Sequence, residues 1–387
     1  MKKNNNKSLE EILTEKLNYN NLINTLSDTP PYLLNPILIE AASRRTSKIT
    51  PQQLLKNYDS KADFFGISSF SQKDLLNFTN KFYEILPDKF EAVELSPICP
   101  LGTNSVITNL SQKKILSTTR ISEVIGDPTT SLILECASRK KKLSKIEGSI
   151  NERIDLATCH RVLRMQPFDK SKGYMQHFDL FGIVTSIKTS DYFGFISRIL
   201  LEHLTIWLEF INHLNKDEFL FQNISINISN MHILERLIKF NQLDRNEIAK
   251  RSGEEDFDFI SSYSLDFPKE ISSINEIEEE IIEKYNLKKV INQAKIIEDE
   301  VINKLKVKYP KIKVCFDFNR IAGIGYYKDY CLHIYSENYE NKRVQLSDGG
   351  AVNYIEKLIS DNKECAFTSG FGAELIHKIF KKPNKSI

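Results

Sequence analysis

Arg164, Gln166 and Phe178 are the side chains whose types and spacing first suggest chemistry. A guanidinium offers a planar fork of charge-assisted donors for phosphate or carboxylate oxygens, an amide both donates and accepts, and an aromatic ring offers a flat face for stacking. All three fall within RIDLATCHRVLRMQPFDKSKGYMQHFDLFGIVTS, residues 153–186. Two apolar-rich segments there flank a polar loop carrying Pro167, Asp169, Lys170, Lys172 and Gly173, which predicts an antiparallel hairpin with a long, mobile tip. Period-2 alternation groups Val162, Arg164 and Gln166 on one face of the first strand, and Phe178, Leu180, Gly182 and Val184 on one face of the second. If these faces coincide, guanidinium, amide and ring converge on one floor. Otherwise the segment is a basic edge hairpin with one buried phenylalanine.

The rest of the chain must position that floor. Its 387 residues, 41% apolar, suffice for one large domain or two ordinary ones with a real core. Lys and Arg number 53 against 51 Asp and Glu, so a formal charge of +2 gives no overall attraction for a polyanion. The six cysteines are scattered without a CxxC spacing, and neither a signal peptide nor an 18-residue apolar run is present. A reduced, cytoplasmic setting without a membrane is expected. Cys159 and His160 are neighbours on a predicted strand and point to opposite faces, so no metal site is expected there.

Residues 1–68 read as an N-terminal helical extension. It has a frayed tail, helical spacing from Ser8 to about Leu26, and Asn35-Pro36 and Thr50-Pro51 as cap-plus-proline pairs opening two more helices. Arg44-Arg45 reads as a solvated face. Residues 69–230 begin with a helix from about Ser71 to Leu86 and the strand FEAVELSP, ending at Pro97. Between Gly102 and Arg139 two short strands precede a helix from about Thr129, where Asp127 before Pro128 is a helix-start signal. After the hairpin, Phe193 to Leu214 predicts an apolar core helix containing Trp207, with His203 as a packing or surface residue. Residues 231–310 read as a charged helical insertion with a long helix near Leu287 to Leu305. Residues 311–387 return to strands, with glycines at their ends where tight turns or close ligand approach need no side chain.

The hairpin resembles motif 2 of class II aminoacyl-tRNA synthetases, and GYMQHFDLFG is most similar to the histidyl branch. The resemblance implies that Arg164 holds the α-phosphate of ATP, with Gln166 alongside, and that Phe178 stacks on adenine. The helix followed by FEAVELSP is similar to motif 1, which implies a homodimer. Gly126-Asp127-Pro128-Thr129 resembles an Arg-Pro-Glu-x-Thr element, implying that Asp127 and Thr129 hold the amino group of a small-molecule substrate. Further on, IAGIGYY, DGGAV and GFGAEL resemble Arg-Gly-Leu-Asp-Tyr-Tyr, Gly-Gly-Arg-Tyr-Asp and the motif 3 pattern Gly-x-Gly-x-Glu-Arg. This adds Tyr326, Tyr327, Gly349, Gly350, Gly370 and Gly372 to the expected substrate-binding set. The implied fold is α+β: an antiparallel sheet flanked by helices, a class II synthetase-like core with an N-terminal helical annex and a helical insertion. ATP, with or without Mg2+, is the implied cofactor, and no metal is bound by the protein itself.

The departures from the family bear on function. Ala322 and Gly325 stand where the arginine and aspartate of the first C-terminal element would be, Ala351 follows Gly349-Gly350, and Leu375 replaces the motif 3 arginine. Leu180 and Val184 replace the polar pair that recognises histidine. Losing one donor aimed at developing charge costs about 2.7–4 kcal/mol, and leaving an imidazole's polar groups unpaired costs about 1–3 kcal/mol each. Arg320, Lys328 and Arg343 are the candidates to replace the missing cations. The chain also ends shortly after the motif 3-like element, so no anticodon-binding domain and no tRNA partner are expected. Two readings follow. One is a regulatory or binding paralogue, comparable to the regulatory subunit of ATP phosphoribosyltransferase, with room for a partner enzyme. The other is an acyl-adenylating ligase with an altered substrate.

Overall fold

The computed structural model describes residues 7–17, 19–68, 70–108, 110–145, 152–166, 175–254 and 257–382. The expected frayed tail and the hairpin tip with Pro167, Asp169, Lys170, Lys172 and Gly173 lie outside the described residues. In chain order the strands are β1 (Glu91–Ala92), β2 (Ile98–Pro100), β3 (Ser122–Val124), β4 (Ile154–Leu163), β5 (His177–Lys188), β6 (Gln222–Asn230), β7 (Glu270–Ile271), β8 (Lys313–Asp317), β9 (Tyr330–Glu337), β10 (Arg343–Val352) and β11 (Glu364–Gly372). Nine form one sheet in the order β1-β4-β5-β11-β10-β9-β6-β8-β7, while β2 and β3 pair separately.

The middle of this sheet, from β4 to β6, is antiparallel as expected, but β1/β4 and β6/β8 are parallel pairs, so the sheet is mixed. The reason is in the connections. A parallel pair needs a crossover rather than a tight turn. Helix Pro128–Leu143 lies between β1 and β4, and the helices of residues 231–308 lie between β6 and β8. The charged helical segment is therefore also the link that delivers β8, and its apolar residues, among them Leu237, Ile291, Ile297 and Leu305, join the main core.

That core lies between one face of the sheet and helix Tyr192–Asn215, whose buried stripe includes Leu204, Trp207 and Phe210. Phe82 meets the hairpin ring Phe181 at 4.5 Å, and Trp207 stacks on Phe371 of β11 at 5.2 Å. His203 is fully buried and hydrogen-bonded to Thr185 Oγ1 at 3.1 Å and Ser369 Oγ at 2.9 Å. Burial pushes its pKa well below the ordinary imidazole value. On the opposite face, helices Pro128–Leu143 and Tyr354–Ile359 cover Leu156, Val184 and Ala366.

Local signals succeed where the partner is close in sequence. Ser71 accepts from Asp74 N and opens helix Gln72–Ile85, and Thr50 accepts from Gln53 N ahead of Pro51. Elsewhere the elements differ from expectation. The Ser8–Leu26 helix is two pieces, Leu9–Leu17 and Leu22–Asp28, the second preceded by left-handed Asn21. Pro36 lies inside helix Pro31–Thr46, which starts one turn earlier because Pro31 takes the first helical position, where no donor is needed. FEAVELSP contributes only Glu91–Ala92 to the sheet. One of the two expected short strands after Gly102 is instead helix Thr103–Thr108, because the buried Glu123 carboxylate accepts from Gly102 N at 3.0 Å and Asn104 N at 2.8 Å. Among the described residues, no helix is long and apolar enough to cross a membrane.

Candidate functional site

The register of β4 on β5 pairs Val162 with Phe178 and His160 with Leu180, so the two predicted faces coincide. Arg164 lies one step beyond the end of β4, where its N–H still donates to Gln176 O at 2.8 Å. Its guanidinium carbon stands 5.3 Å from the centre of the Phe178 ring, and its Nε donates to Gly126 O at 2.9 Å. The side chain of Gln176 holds the base of the hairpin tip, donating to Arg164 O and Gln166 O at 3.2 and 3.3 Å. Residues 63–68 brace the hairpin from outside: Asp63 O accepts from Gln176 N at 3.0 Å, and Gly66 O lies 2.9 Å from His177 Nε2.

Gly126 leads directly into the second group. Asp127 caps helix Pro128–Leu143, accepting from Thr129 N at 2.9 Å and from Thr129 Oγ1 at 2.8 Å. The Thr129 hydroxyl lies 3.4 Å from Tyr326 OH. Gly182 makes this approach possible, because a Cβ there would stand 3.2 Å from Pro128 Cγ and 3.3 Å from Thr129 Cγ2. Arg164 thus meets the backbone at Gly126, next to the Asp127–Thr129 pair that reaches Tyr326, although these residues come from three separate parts of the chain.

These residues line a cleft of about 970 Å³. Arg164, Gln166, Phe178, Asp127, Thr129, Tyr326, Tyr327, Gly370 and Gly372 all face it, as do Leu180 and Leu375. Gly349 and Gly350 are not in its lining. A Cβ on Gly350 would lie 2.5 Å from the Tyr327 ring, and one on Gly349 would lie 2.4 Å from Ser369 Cβ, so these glycines admit close packing behind the cleft. Val184 is buried in the apolar cluster against which Tyr326 and Tyr327 pack.

The cations expected to replace the missing arginines do not reach the cleft. Arg320 is buried and its three nitrogens are used, by Ala322 O at 2.8 Å, Leu332 O at 2.9 Å and Asp348 Oδ1 at 2.7 Å. Lys328 pairs with Glu356 at 2.8 Å, and Arg343 lies over the Tyr335 ring at 4.1 Å. What Arg320 does instead is fix a carboxylate that sequence reasoning missed. Asp348 faces the cleft and also accepts from Tyr327 OH at 3.0 Å. Burial alone would raise its pKa, but Arg320 and the His333 ring hold it well below the usual carboxylate range. Asp179 is opposite in sense: burial raises its pKa, only partly offset by Arg161 at 2.6 Å.

The other group missed at the sequence level is a wall made by Arg245, Asn246, Ala249 and Ser252. Nothing in the local sequence marks these residues, which sit in a charged helical stretch about 80 positions from the turn they face. Asp348 had a signal, since it directly precedes Gly349-Gly350.

No protein-family model and no curated protein matches this chain. Among solved structures it is similar to an ATP phosphoribosyltransferase regulatory subunit/histidyl-tRNA synthetase from Bacillus halodurans, with 14% identity, TM-score 0.59 and 81% of each chain covered. The histidyl-tRNA synthetase of Nostoc sp. PCC 7120 is 12% identical with TM-score 0.60, over 82% of this chain and 74% of that one. A histidine–tRNA ligase subunit from Alicyclobacillus acidocaldarius is 12% identical with TM-score 0.56, over 80% and 94%. The mixed sheet and its helical cover therefore have the α+β fold of the class II aminoacyl-tRNA synthetase core, as seen in these histidyl-tRNA synthetase and regulatory-subunit structures.

Proposed function

We propose that the cleft binds an adenine nucleotide and that the chain is a synthetase-like paralogue with a binding or regulatory role, not a tRNA-charging enzyme. The observation that carries this reading is Arg164. Its Nε is engaged by a carbonyl, its plane lies near the Phe178 ring, and its terminal nitrogens meet no carboxylate among the described residues. A stacking face beside an available guanidinium is what a base and its phosphate require. The cofactor in this reading is ATP or AMP. Mg2+ would accompany the phosphates.

Leu375 and Ala322 bring no positive charge, and Leu180 presents apolar surface to the cleft. That supports binding over the redistribution of phosphate charge that adenylation demands. The reading includes a homodimer in the cytoplasm. Because one of the similar structures is described as a regulatory subunit, a partner enzyme belongs to it as well. The line Asp127–Thr129–Tyr326 favours the second reading, an acyl-adenylating ligase with altered substrate, because it keeps a carboxylate and hydroxyls beside Arg164.

Calorimetric titration with ATP and AMP, followed by ATP–pyrophosphate exchange across amino acids and small carboxylic acids, separates the readings. Binding without exchange is the expected result. Exchange with any acid replaces it by the ligase, and absence of nucleotide binding refutes both. Aminoacylation of total tRNA with labelled histidine at low salt should stay at the level of an Arg164→Ala control; incorporation above it would restore a synthetase.

A further inference from the structure

The segment between β6 and β8 does more than connect strands. Helix Arg245–Lys250 buries Ile248 completely in the core. Arg245, Asn246, Ala249 and, beyond the helix end, Ser252 recur at helical spacing and face the cleft. A wall that is polar on the cleft side and anchored on the other is unlike an apolar seam between packed helices.

Arg245 is held in a defined orientation. Its Nε donates to Glu235 at 2.8 Å, and its terminal nitrogens have no hydrogen bond among the described residues. Nη2 lies 3.2 Å from where a Cβ on Gly325 would be. Gly325 has φ +77°, a left-handed conformation in a turn, so it supplies both the bend and the space into which the guanidinium fits. With Arg320 buried against Asp348, Arg164 and Arg245 are the two arginines that line the cleft among the described residues.

We infer that Arg245 is a second anion-binding group of this cleft, delivered by the segment between β6 and β8, and that it takes a phosphoryl group on the Gly325 side. The inference rests on the nucleotide reading for the identity of the natural ligand, but not for the existence of the anion site. Arg164 and Phe178 then fix the base and one phosphoryl group, and Arg245 holds a second phosphoryl group on the Gly325 side of the cleft. A fork of donors anchored through Nε keeps two terminal nitrogens in a plane for such a group, which lysine cannot reproduce.

The experiment is calorimetric titration of ATP, adenosine and inorganic pyrophosphate into the full chain and into Arg245→Ala, Arg245→Lys and Arg251→Ala variants. Arg251 is the control, since it pairs with Glu254 and lies on the Phe257 ring at 3.7 Å, away from the cleft lining. Arg245→Ala should weaken ATP and pyrophosphate by about tenfold or more, leave adenosine unchanged, and be partly restored in Arg245→Lys, while Arg251→Ala binds as the parent does. If ATP does not bind but pyrophosphate binds in an Arg245-dependent way, the nucleotide reading fails and the anion site stands. If ATP binds through Arg164 with equal affinity in parent and Arg245→Ala, Arg245 is only a partner for Glu235 and the inference falls. Absence of binding by both anions to the parent overturns both.

Discussion

Replacing Arg164 by alanine removes two contacts within the chain and, on the proposed reading, a third to the nucleotide, and their different worth makes the test sharp. The hydrogen bond from Nε to Gly126 O at 2.9 Å ties the hairpin to the start of helix Pro128–Leu143, and a single bond of this kind contributes about 0.5–1.5 kcal/mol to stability. The guanidinium near the Phe178 ring at 5.3 Å adds about 0.5–1 kcal/mol at a partly exposed position. The fold should therefore lose only about 1–2.5 kcal/mol, a small change for a chain whose main core lies elsewhere. Nucleotide binding should suffer more. Charge-assisted contacts contribute about 1.5–3 kcal/mol, so ATP affinity should drop by about 10- to 150-fold. Calorimetry at constant salt measures the affinity and a urea titration measures the stability. Arg164→Lys should fall between parent and alanine, since a point charge keeps attraction but loses the fork. Phe178→Ala, in contrast, should weaken adenosine as well as ATP. Unchanged ATP affinity in Arg164→Ala would remove this residue from the site, and an equal loss for adenosine would mean that the charge was never the reason.

Gly350→Ala should destabilise the fold by about 1–3 kcal/mol in urea, because its Cβ would meet the Tyr327 ring at 2.5 Å, whereas Gly253→Ala, with nothing within 4 Å, should be neutral; equal stability of the two variants would contradict the packing described here. Asp329 is buried beside Asn230, which donates to it at 2.9 Å, and burial raises its pKa to about 7. The folded chain then keeps a proton that the unfolded chain has released, so stability should fall as pH rises from about 4 to about 7, by up to about 1.4 kcal/mol per pH unit. Asp329→Asn should flatten that slope, and a slope unchanged in the variant would assign it to other groups. Light scattering at micromolar concentration should give twice the chain mass of 44.7 kDa; a monomer would count against the proposed homodimer.

Much of the fold was legible because its signals are local. Ser71 and Asp127 cap helices through backbone donors two or three residues away, and strict alternation grouped Arg164 with Val162 on one strand and Phe178 with Leu180 on the other, although only the register shows that the two faces coincide. Helix Tyr192–Asn215 was visible from its apolar stripe alone. Where the competing partner is distant, the same reasoning failed. Glu123 turns an expected strand into helix Thr103–Thr108, and crossovers set two parallel pairs into a sheet expected to be antiparallel. The site divides along the same line. Residue types and motif order brought Arg164, Phe178, Asp127, Thr129, Tyr326 and Tyr327 to one cleft, yet they could not say which charges remain available. Arg320 has the right charge and is fully engaged by Asp348 and two carbonyls, while Arg245, in an unremarked charged helix, reaches the cleft through the space left by Gly325. A side chain's chemistry is written in its type, but whether that chemistry faces a ligand depends on which groups, many residues away, have already satisfied it, and only the tertiary structure decides that.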